Sequence, residues 1–508
     1  MKKINFSVVN ENLNPVFNKR KMRISHFALA SFLMIGSFPG LVTQAHANSF
    51  ERLSSLLAAT PEGGWVKAST NFFWDAWPTG TDAVPGQYGW PGAIIRAWSS
   101  FAWDSSRGDL MLWGGGHANY TGNEMYVWDG ATGEWGRGSL PSRTDSQGMV
   151  VGGTAPQSAH TYDNNIYLPV NDMFLTFGGA ASGTGSVFRT TDGGEIRRAG
   201  PYLWDPTKAD PNKVGGTLDS GWDTSTPPQN GDMWIDRRGQ WTGTEAPGYI
   251  NGTTAYRTEN GKDVVYLTAD ANASGFASLY RYTLGDVRNG GKDTWEQIGV
   301  ARNTAGYQGA ATIDTDHNLY IKTASITGPY TSDLTIWDLD KANPSNPWAN
   351  QDIGINLVNK DGSDFQIHSW YGIAYDSNND RIVLWDGNPS GSVWSAYVRT
   401  DANGDIGSNT TWTVSEIASS TSAHPHGSFI TGVLGKWQYD STLGAFVALD
   451  EFSRTPSGSA WDTGVWLYKP IGASAAPLPI PEPETYAMFL AGLAVMGWIA
   501  RRRGVRLS

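Results

Sequence analysis

The stretch from Phe101 to Asp129 is the unit that the rest of the chain repeats. It predicts a strand ending in Trp103-Asp104, a second strand ending at glycines 114–116, and a third strand ending in Trp128-Asp129. Glycine adopts backbone dihedrals that other residues avoid, so the second strand ends there. A few short antiparallel strands cannot bury both faces of their own sheet. Such a unit therefore needs neighbours of the same kind.

Five further segments show the same alternation of short apolar strands and turns. They occupy residues 158–179, 253–298, 310–339, 372–417 and 435–470. Residues 200–250 fit either a long insertion or a seventh, degenerate unit. Units of this size, recurring along the chain, predict an all-β protein that forms a six- or seven-bladed β-propeller.

The last unit lacks a fourth strand of its own. An isolated strand-like piece, residues 65–67, precedes the first unit. We predict that it pairs with residues 464–469 and closes a propeller domain over residues 48–471, because closure leaves no exposed sheet edge.

The N-terminus carries the pattern of a secretory signal. Basic residues 19–23 precede the apolar run 27–42, and Ala45-His46-Ala47 follows. These features predict a signal peptide over residues 1–47, read by the Sec machinery and cleaved after Ala47. Met22 fits as the true start of the chain. A permanent N-terminal anchor is the alternative.

The C-terminus carries three features in a fixed order. They are the tripeptide Pro481-Glu482-Pro483, an apolar run predicted as a transmembrane helix over residues 485–500, and the basic residues Arg501, Arg502 and Arg503. The arginines favour the cytoplasmic side. Residues 472–480 predict an extended Pro/Ala linker that holds the domain away from the membrane.

Segment 481–508 resembles the PEP-CTERM sorting signal of Gram-negative bacteria. The resemblance implies an exosortase as partner, anchoring in the inner membrane during sorting, and then a cell-surface or extracellular location. Proteins with this signal usually accompany exopolysaccharide production, which suggests a polysaccharide as a second partner. An ordinary C-terminal anchor would keep the topology and lose only the processing.

The repeated unit resembles kelch and galactose-oxidase-type propellers. The resemblance rests on aromatic-Asp pairs, on the glycines and on third-strand tryptophans, at 103–104, 162–163, 375–376, 439–440, 114–116, 178–179, 128, 337, 394 and 466. A copper-radical centre of the galactose-oxidase kind needs a tyrosine crosslinked to a cysteine. The chain has no cysteine, so the fold resemblance does not bring that activity with it.

Composition excludes further classes. The formal net charge is −11 and no basic stripe is present, which argues against a nucleic-acid partner. The absence of cysteine also excludes disulfides, thiol catalysis and cysteine-ligated metals.

The histidines sort unevenly between the two faces of the predicted ring. Loops from second to third strands, and approaches to first strands, lie on one face; turns from first to second strands lie on the other. Five histidines fall on the first face, which we call the histidine face: His117, His160, His368, His424 and His426. His317 falls in a first-to-second turn, on what we call the turn face.

Convergent imidazoles bind Zn²⁺ or Mn²⁺, or remove a proton from a sugar ring. We therefore assign catalytic roles to His117, His160, Tyr162 and Tyr371, and metal ligation to His117, His160 and His368. Substrate binding is assigned to Asn119, Tyr120, His368, Trp370, Glu451 and Arg454. The set is distantly similar to the His, Tyr and Arg sets of propeller polysaccharide lyases. The competing interpretation is that each histidine is a hydrogen-bonded turn residue.

Two aspartate-rich segments, 314–318 and 376–380, have the composition of calcium loops. Neither has the glutamate of an EF-hand at the required spacing, which favours solvated turns.

The leading hypothesis is an exported propeller that binds or organises exopolysaccharide at the cell surface. The rival is a metal-assisted polysaccharide lyase or hydrolase on the same scaffold, and a protein-interaction propeller is the third. Convergence of His117, His160 and His368 on one point would favour the enzyme.

Overall fold

The computed structural model describes most of the repeated region. The described residues are 39–80, 89–117, 119–144, 150–151, 154–181, 188–189, 195–196, 200–217, 229–244, 246–268, 278–301, 309–323, 332–365, 367, 370–400, 406, 410–427, 431–453 and 461–472. The chain divides into two compact units, Met1–Val42 and Thr43–Ser508. Only residues 39–42 of the first unit are described.

Helix is scarce in the described part of the chain. The α-helices are α1 (Pro39–Ala59) and α2 (Ala93–Arg96), and single 3₁₀ turns occupy Phe73–Ala76, Pro206–Lys208, Leu339–Lys341 and Pro347–Ala349. None of the described helices is long and apolar enough to cross a membrane. The predicted transmembrane segment 485–500 lies outside the described residues.

Short strands form the rest of the architecture. The first part of the chain has β1 (Gly64–Lys67), β2 (Phe101–Asp104), β3 (Asp109–Leu112), β4 (Tyr126–Asp129), β5 (Glu134–Arg137), β6 (Ala159–His160), β7 (Asn165–Leu168), β8 (Met173–Thr176), β9 (Ala180–Ala181), β10 (Phe188–Arg189) and β11 (Glu195–Ile196). The middle has β12 (Tyr202–Trp204), β13 (Lys213–Val214), β14 (Gln229–Asn230), β15 (Trp234–Asp236), β16 (Trp241–Gly243), β17 (Thr253–Glu259), β18 (Lys262–Thr268), β19 (Ser278–Thr283), β20 (Asp293–Val300), β21 (Ala311–Asp314) and β22 (Leu319–Thr323). The last part has β23 (Leu334–Asp338), β24 (Ile353–Val358), β25 (Gly372–Asp376), β26 (Arg381–Trp385), β27 (Val393–Ala396), β28 (Thr411–Ile417), β29 (Trp437–Asp440), β30 (Ala445–Leu449), β31 (Phe452–Ser453), β32 (Trp461–Asp462) and β33 (Val465–Lys469).

These strands pair into antiparallel four-stranded groups. We name them sheet I (β2-β3-β4-β5), sheet II (β7-β8-β12-β15), sheet III (β17-β18-β19-β20), sheet IV (β21-β22-β23-β24), sheet V (β25-β26-β27-β28) and sheet VI (β29-β30-β33-β1). β16 adds a parallel edge to sheet III, and β24 joins β28 in parallel, so that sheets IV and V form one eight-stranded sheet.

The first strands of these sheets stand next to one another around a central channel. β2 packs beside β7, β7 beside β17, β17 beside β21, β21 beside β25, and β25 beside β29. The Gln438 side chain in β29 then donates to the carbonyl oxygen of Phe101 in β2 and accepts from the Trp103 amide, at 2.9 and 3.2 Å. The chain is therefore an all-β protein with a propeller-like fold.

An aspartate ends several first strands and shapes the following turn. Asp104 Oδ1 accepts from the amides of Ser106 and Arg107, each at 2.9 Å, and Gly108 then takes a φ of +74°. Asp314 Oδ1 accepts from Asp316 and His317 amides in the same way, at 2.9 and 3.0 Å. A carboxylate that binds these amides satisfies backbone donors that no strand partner reaches. The same aspartate–amide hydrogen bonds therefore form the same turn in more than one sheet.

The sheet that completes the ring contains both the first and the last strand. β1 lies antiparallel to β33, with Trp65 opposite Tyr468 and Lys67 opposite Trp466. The Trp65 ring is 2% exposed, lies 5.3 Å from the Trp385 ring, and donates from Nε1 to the Gly391 carbonyl oxygen at 2.8 Å. Residues far apart in the chain therefore share one buried aromatic cluster.

Within the described part of residues 200–250, two strands belong to sheet II and not to a separate unit. β12 and β15, in Tyr202–Trp204 and Trp234–Asp236, are the third and fourth strands of sheet II. Trp204 and Trp234 from these strands are buried against sheet I, where Trp234 lies 5.6 Å from the Trp113 ring. Each strand has only three residues, which is too short to show an alternating pattern in the sequence.

Candidate functional site

His160 is the centre of a compact cluster on the histidine face. It lies in β6, which pairs with β9 just before sheet II, and its side chain is 2% exposed. Its Nε2 is 2.8 Å from Asn119 Oδ1. Its ring centroid is 4.8 Å from that of His117 in an edge contact and 5.0 Å from that of Trp98. The Tyr162 ring lies 6.2 Å away on the same side.

The glycines of the first unit place His117 against His160. A Cβ on Gly116 would stand 2.2 Å from the Ser158 carbonyl oxygen, and one on Gly115 would stand 2.8 Å from Ile94. Gly115 also takes a φ of +97°, which favours glycine. The loop can therefore pack against β6 at Gly116 and against α2 at Gly115 only because both residues lack a side chain.

Three bulky residues of this cluster hold left-handed backbone conformations. Trp98, His117 and Tyr162 have φ of 47°, 53° and 51°. Such conformations cost free energy for residues with large side chains and collect at functional sites. All three rings lie around the same histidine, which marks this cluster as the candidate site.

Burial keeps the imidazole of His160 neutral. Desolvation, and then the charge of His117, lowers the pKa of His160 to about 3. A neutral imidazole donates one hydrogen bond, and its other nitrogen either accepts one or ligates a metal, but an imidazole with so low a pKa is a weak base. His117, which is partly exposed, is the more accessible of the two rings.

Charged groups lie on the same face. Arg96 Nε lies 2.8 Å from Glu451 Oε1, and the Arg96 guanidinium stacks 4.0 Å from the Trp461 ring. Lys436 is buried, and desolvation lowers the pKa of its ammonium group to about 8, although the Glu451 charge opposes this. Glu451 therefore lies between two basic side chains.

Exposed aromatic side chains lie near the Arg96–Trp461 contact and the strands β31 and β32. Phe72, Trp74 and Trp90 are 42%, 37% and 44% exposed. The Phe72 ring lies 6.2 Å from that of Phe452, and the Trp90 ring lies 6.1 Å from that of Trp461. These five rings, which we call the aromatic rim, border the β31–β32 hairpin. Trp370, which is 38% exposed, precedes β25 on the same face.

The structure brings together some of the residues selected from the sequence and separates others. His117, His160, Asn119 and Tyr162 meet at one place. Tyr120 is buried and its hydroxyl donates to Glu124 Oε1 at 2.6 Å.

Tyr371 is also buried, and its ring lies 6.2 Å from Phe365 and 5.9 Å from Trp394 within sheet V. His368 and Arg454 lie outside the described residues, so the three-histidine metal site remains a prediction.

Sequence reasoning missed Arg96, Trp98, Lys436 and the rim residues Trp74 and Trp90. Residues 69–92, before the first unit, are rich in tryptophan, glycine and proline, and no site residue was assigned to them from the sequence. Their exposed tryptophans were the available signal, because an irregular segment with several large aromatic residues must either bury them or present them to a partner.

A central cavity of about 370 Å³ lies along the first strands. An aromatic residue at the same position of five first strands lines it: Trp103, Tyr167, Tyr256, Tyr375 and Tyr439. The cavity reaches the turn face at Ser105, Thr315, Ser377 and Ser441.

Asp163 lines this cavity and is almost fully buried. Its Oδ2 accepts from the amides of Ala311 and Thr254 at 3.0 and 3.3 Å, and burial raises its pKa well above the usual value. Burial therefore disfavours the charged form of this carboxyl at the cavity wall.

A family model for the PEP-CTERM protein-sorting motif matches residues 479–503. The C-terminus is a PEP-CTERM sorting motif. The motif implies export, membrane-anchored sorting and processing by an exosortase. Comparison with curated protein sequences gives no match.

Solved structures of similar shape include two fungal enzymes and a bacterial one. An α-L-arabinofuranosidase of Fusarium graminearum is 12% identical, with 72% of this chain and 96% of that chain covered and a TM-score of 0.35. An α-L-arabinanase of Penicillium chrysogenum is 11% identical, with the same coverage and TM-score. A GH43_1 enzyme of Xanthomonas citri is 9% identical, with 61% and 88% covered and a TM-score of 0.29. At these values we draw no functional argument from the likeness.

Proposed function

We propose that this chain is an exported cell-surface propeller that binds exopolysaccharide on its histidine face. The observation that carries the proposal is the aromatic rim, in which the exposed Trp90 ring lies against Trp461, the ring on which Arg96 of the Arg96–Glu451 pair stacks. Flat aromatic faces next to hydrogen-bonding groups suit sugar rings, which present apolar C–H faces and polar edges. Monomeric proteins seldom leave such rings exposed without a partner.

The sorting motif supports the same proposal. An exosortase substrate is delivered across the inner membrane, and proteins with this motif usually accompany exopolysaccharide production. We propose removal of the signal peptide 1–47 after Sec export, transient anchoring by residues 485–500, and release at the surface of a Gram-negative cell.

The finer features of the fold belong to the same proposal. Six four-stranded sheets around one channel fit a six-bladed ring, with β1 supplying the outer strand of the last blade. The aromatic-Asp turns favour the kelch-like type.

Affinity electrophoresis of the full chain in gels that contain alginate, polygalacturonate or dextran tests the binding proposal. Trp90→Ala removes an exposed ring of the rim and should weaken retardation about tenfold. Trp348→Ala is the matched control, because Trp348 is 56% exposed in the Pro347–Ala349 turn, away from the rim. Retardation that both variants reduce equally, or that none of the gels produces, would overturn the proposal.

A second candidate function is polysaccharide lyase, and the contact among His117, His160 and Tyr162 favours it. In β-elimination a base removes the C5 proton of a uronate, the C4–O4 bond breaks, and an acid protonates the departing O4. His117 is the candidate base and Tyr162 the candidate acid, with neutral His160 orienting His117. In the alternative assignment, His117 and His160 would hold Zn²⁺ or Mn²⁺, which would supply charge to neutralise the carboxylate, and a group other than His117 would then act as the base.

The lyase candidate is tested by the ultraviolet absorbance of an unsaturated uronate product. Activity should be lost in His117→Ala and Tyr162→Phe and retained in Trp348→Ala. Retarded migration without any product would leave binding as the function and reject the lyase.

A further inference from the structure

Two junctions between neighbouring sheets on the turn face have the same arrangement of side chains. Between sheets I and II it consists of Asp104, Arg107, Tyr167 and Asp172, which we call the arginine clasp. Between sheets IV and V it consists of Asp314, His317, Tyr375 and Asp380, which we call the histidine clasp. In each, the basic residue follows its first-strand aspartate by three positions, and the second aspartate follows its tyrosine by five.

In the arginine clasp a guanidinium holds two carboxylates together. Arg107 donates to Asp104 in its own turn and to Asp172 in the turn of sheet II. The Tyr167 hydroxyl donates to Asp172 Oδ1 at 2.9 Å, and Asp172 has a φ of 56°. The positive charge is thus shared between the two sheets.

The histidine clasp repeats this geometry with an imidazole at the guanidinium position. His317 Nδ1 lies 2.8 Å from Asp314 Oδ2 and 3.7 Å from Asp380 Oδ1. The Tyr375 hydroxyl donates to Asp380 Oδ1 at 2.9 Å, and Asp380 has a φ of 49°. The two clasps therefore match in backbone, in tyrosine and in both carboxylates, and differ in the group between them.

That difference leaves the second pair of carboxylates without a guanidinium between them. A guanidinium carries a fixed charge and donates several hydrogen bonds, whereas an imidazole nitrogen can itself act as a metal ligand. Within the described part of the chain, no lysine or arginine forms an ion pair with Asp314 or Asp380. The arginine clasp shows that this arrangement of carboxylates binds a cation. The histidine clasp lacks a permanent one.

We propose that the histidine clasp binds a divalent cation, Zn²⁺ or Mn²⁺, at the position that the guanidinium of Arg107 occupies in the arginine clasp. One ligand atom from each of Asp314, His317 and Asp380 lies within 4.8 Å of the others. Two carboxylate oxygens and one imidazole nitrogen form a donor set that these ions accept, with water completing the coordination. The cation joins sheets IV and V.

The position of the clasp connects it to the central cavity. Tyr375 contributes to the clasp and also lines the cavity, and Thr315 and Ser377, in the same two turns, form part of its mouth. The inference is independent of the histidine face, because the sugar-binding residues proposed there lie at the other end of the channel.

Isothermal titration of the full chain, first stripped with a chelator, tests the proposal with ZnCl₂ and MnCl₂ as probes. We expect one cation per chain and a rise in melting temperature on binding. His317→Arg rebuilds an arginine clasp and should abolish this binding without lowering the melting temperature. Asp172→Asn, in the other clasp, is the matched control and should bind the cation with unchanged affinity.

Each alternative has its own outcome. Equal binding by His317→Arg and the parent chain would overturn the proposal. Loss of binding in His117→Ala alone would overturn it as well, and would assign the cation to the histidine face. Stabilisation by acidification without binding of either metal would also overturn it and show that a proton, not a metal ion, supplies the charge. Retardation in polysaccharide gels is measured separately, so failure of either proposal leaves the other intact.

Discussion

The two ends of the channel are stabilised by different chemistry. On the histidine face, His160 is buried among Trp98, His117 and Tyr162 and stays neutral. On the turn face, solvent-accessible clasps join neighbouring sheets through charges. The first arrangement depends on packing and desolvation, whereas the second depends on Coulomb attraction that water and salt weaken.

The two ends therefore differ in how rigidly their side chains are held. Packed residues in left-handed conformations fix positions at the histidine face at a cost in stability. Clasps on the turn face fix the angle between sheets and leave the cavity mouth polar. The four predictions below test this contrast.

The largest expected effect is on the histidine face. His160→Ala empties the space between three rings and removes the partner of Asn119, so the free energy of unfolding should fall by about 2–4 kcal/mol. His317→Ala, measured without metal, should cost about 1 kcal/mol or less, because its contacts are partly exposed. Urea denaturation of both variants measures the difference. Equal losses of unfolding free energy in the two variants would contradict the difference between the two ends of the channel.

The next effect concerns pH. Burial raises the pKa of Asp450, on the histidine face, to about 6, and that of Asp109, near the turn face, to about 7. In the unfolded chain each carboxyl has its usual pKa. Between that pKa and the raised pKa of the folded protein, the folded state therefore binds more protons than the unfolded state. Stability from these groups is therefore present at low pH and is lost as pH rises through 6 to 7.

The free energy of unfolding should accordingly fall between about pH 4 and pH 7, with Asp450 contributing on the order of 3 kcal/mol. Asp450→Asn should flatten the pH profile of urea denaturation, since an amide does not titrate. An unchanged profile in this variant would refute the assignment to Asp450.

A smaller effect is expected from the arginine clasp. Asp172→Asn removes one carboxylate from Arg107, and with both side chains partly exposed the loss should be about 0.2–1 kcal/mol. The loss should shrink when the salt concentration is raised, because exposed ion pairs are screened. His160→Ala should show no such salt dependence.

The smallest change in stability is expected from a variant that tests directly whether the two clasps are equivalent. Arg107→His converts the arginine clasp into a second histidine clasp, and the stoichiometry of Zn²⁺ or Mn²⁺ binding should rise from one to two. Isothermal titration measures it. A variant that stays at one site would show that the two clasps are less alike than their geometry indicates.

Much of the sheet architecture can be predicted from the sequence because its signals are local. The Trp103-Asp104 turn and the strands on either side lie within a few residues of one another, and the same holds for Tyr375-Asp376 and Tyr439-Asp440. β12 and β15 were not predicted as strands, because three residues are too few to show the alternation of apolar and polar side chains.

The site was harder to predict because its contacts are long-range. Arg96 pairs with Glu451, and His317 approaches Asp380 across two sheets. Segments 314–318 and 376–380 were each interpreted as a solvated turn, which is reasonable for either alone. Only the packing of one first strand against the next shows that the two turns form one group of ligands.

The ring begins and ends at the same place, and this sets an order of events during secretion. The Gly472 amide donates to Glu62 Oε2 at 3.0 Å, and the Gly63 amide donates to the Lys469 carbonyl oxygen at 2.8 Å. A polypeptide that emerges from a translocation pore N-terminus first must keep β1 unpaired until β33 has followed. Folding with such distant partners is slow. The sorting motif implies membrane anchoring before processing by an exosortase. We therefore expect β1 to pair with β33 while the proposed anchor still holds the C-terminus in the membrane.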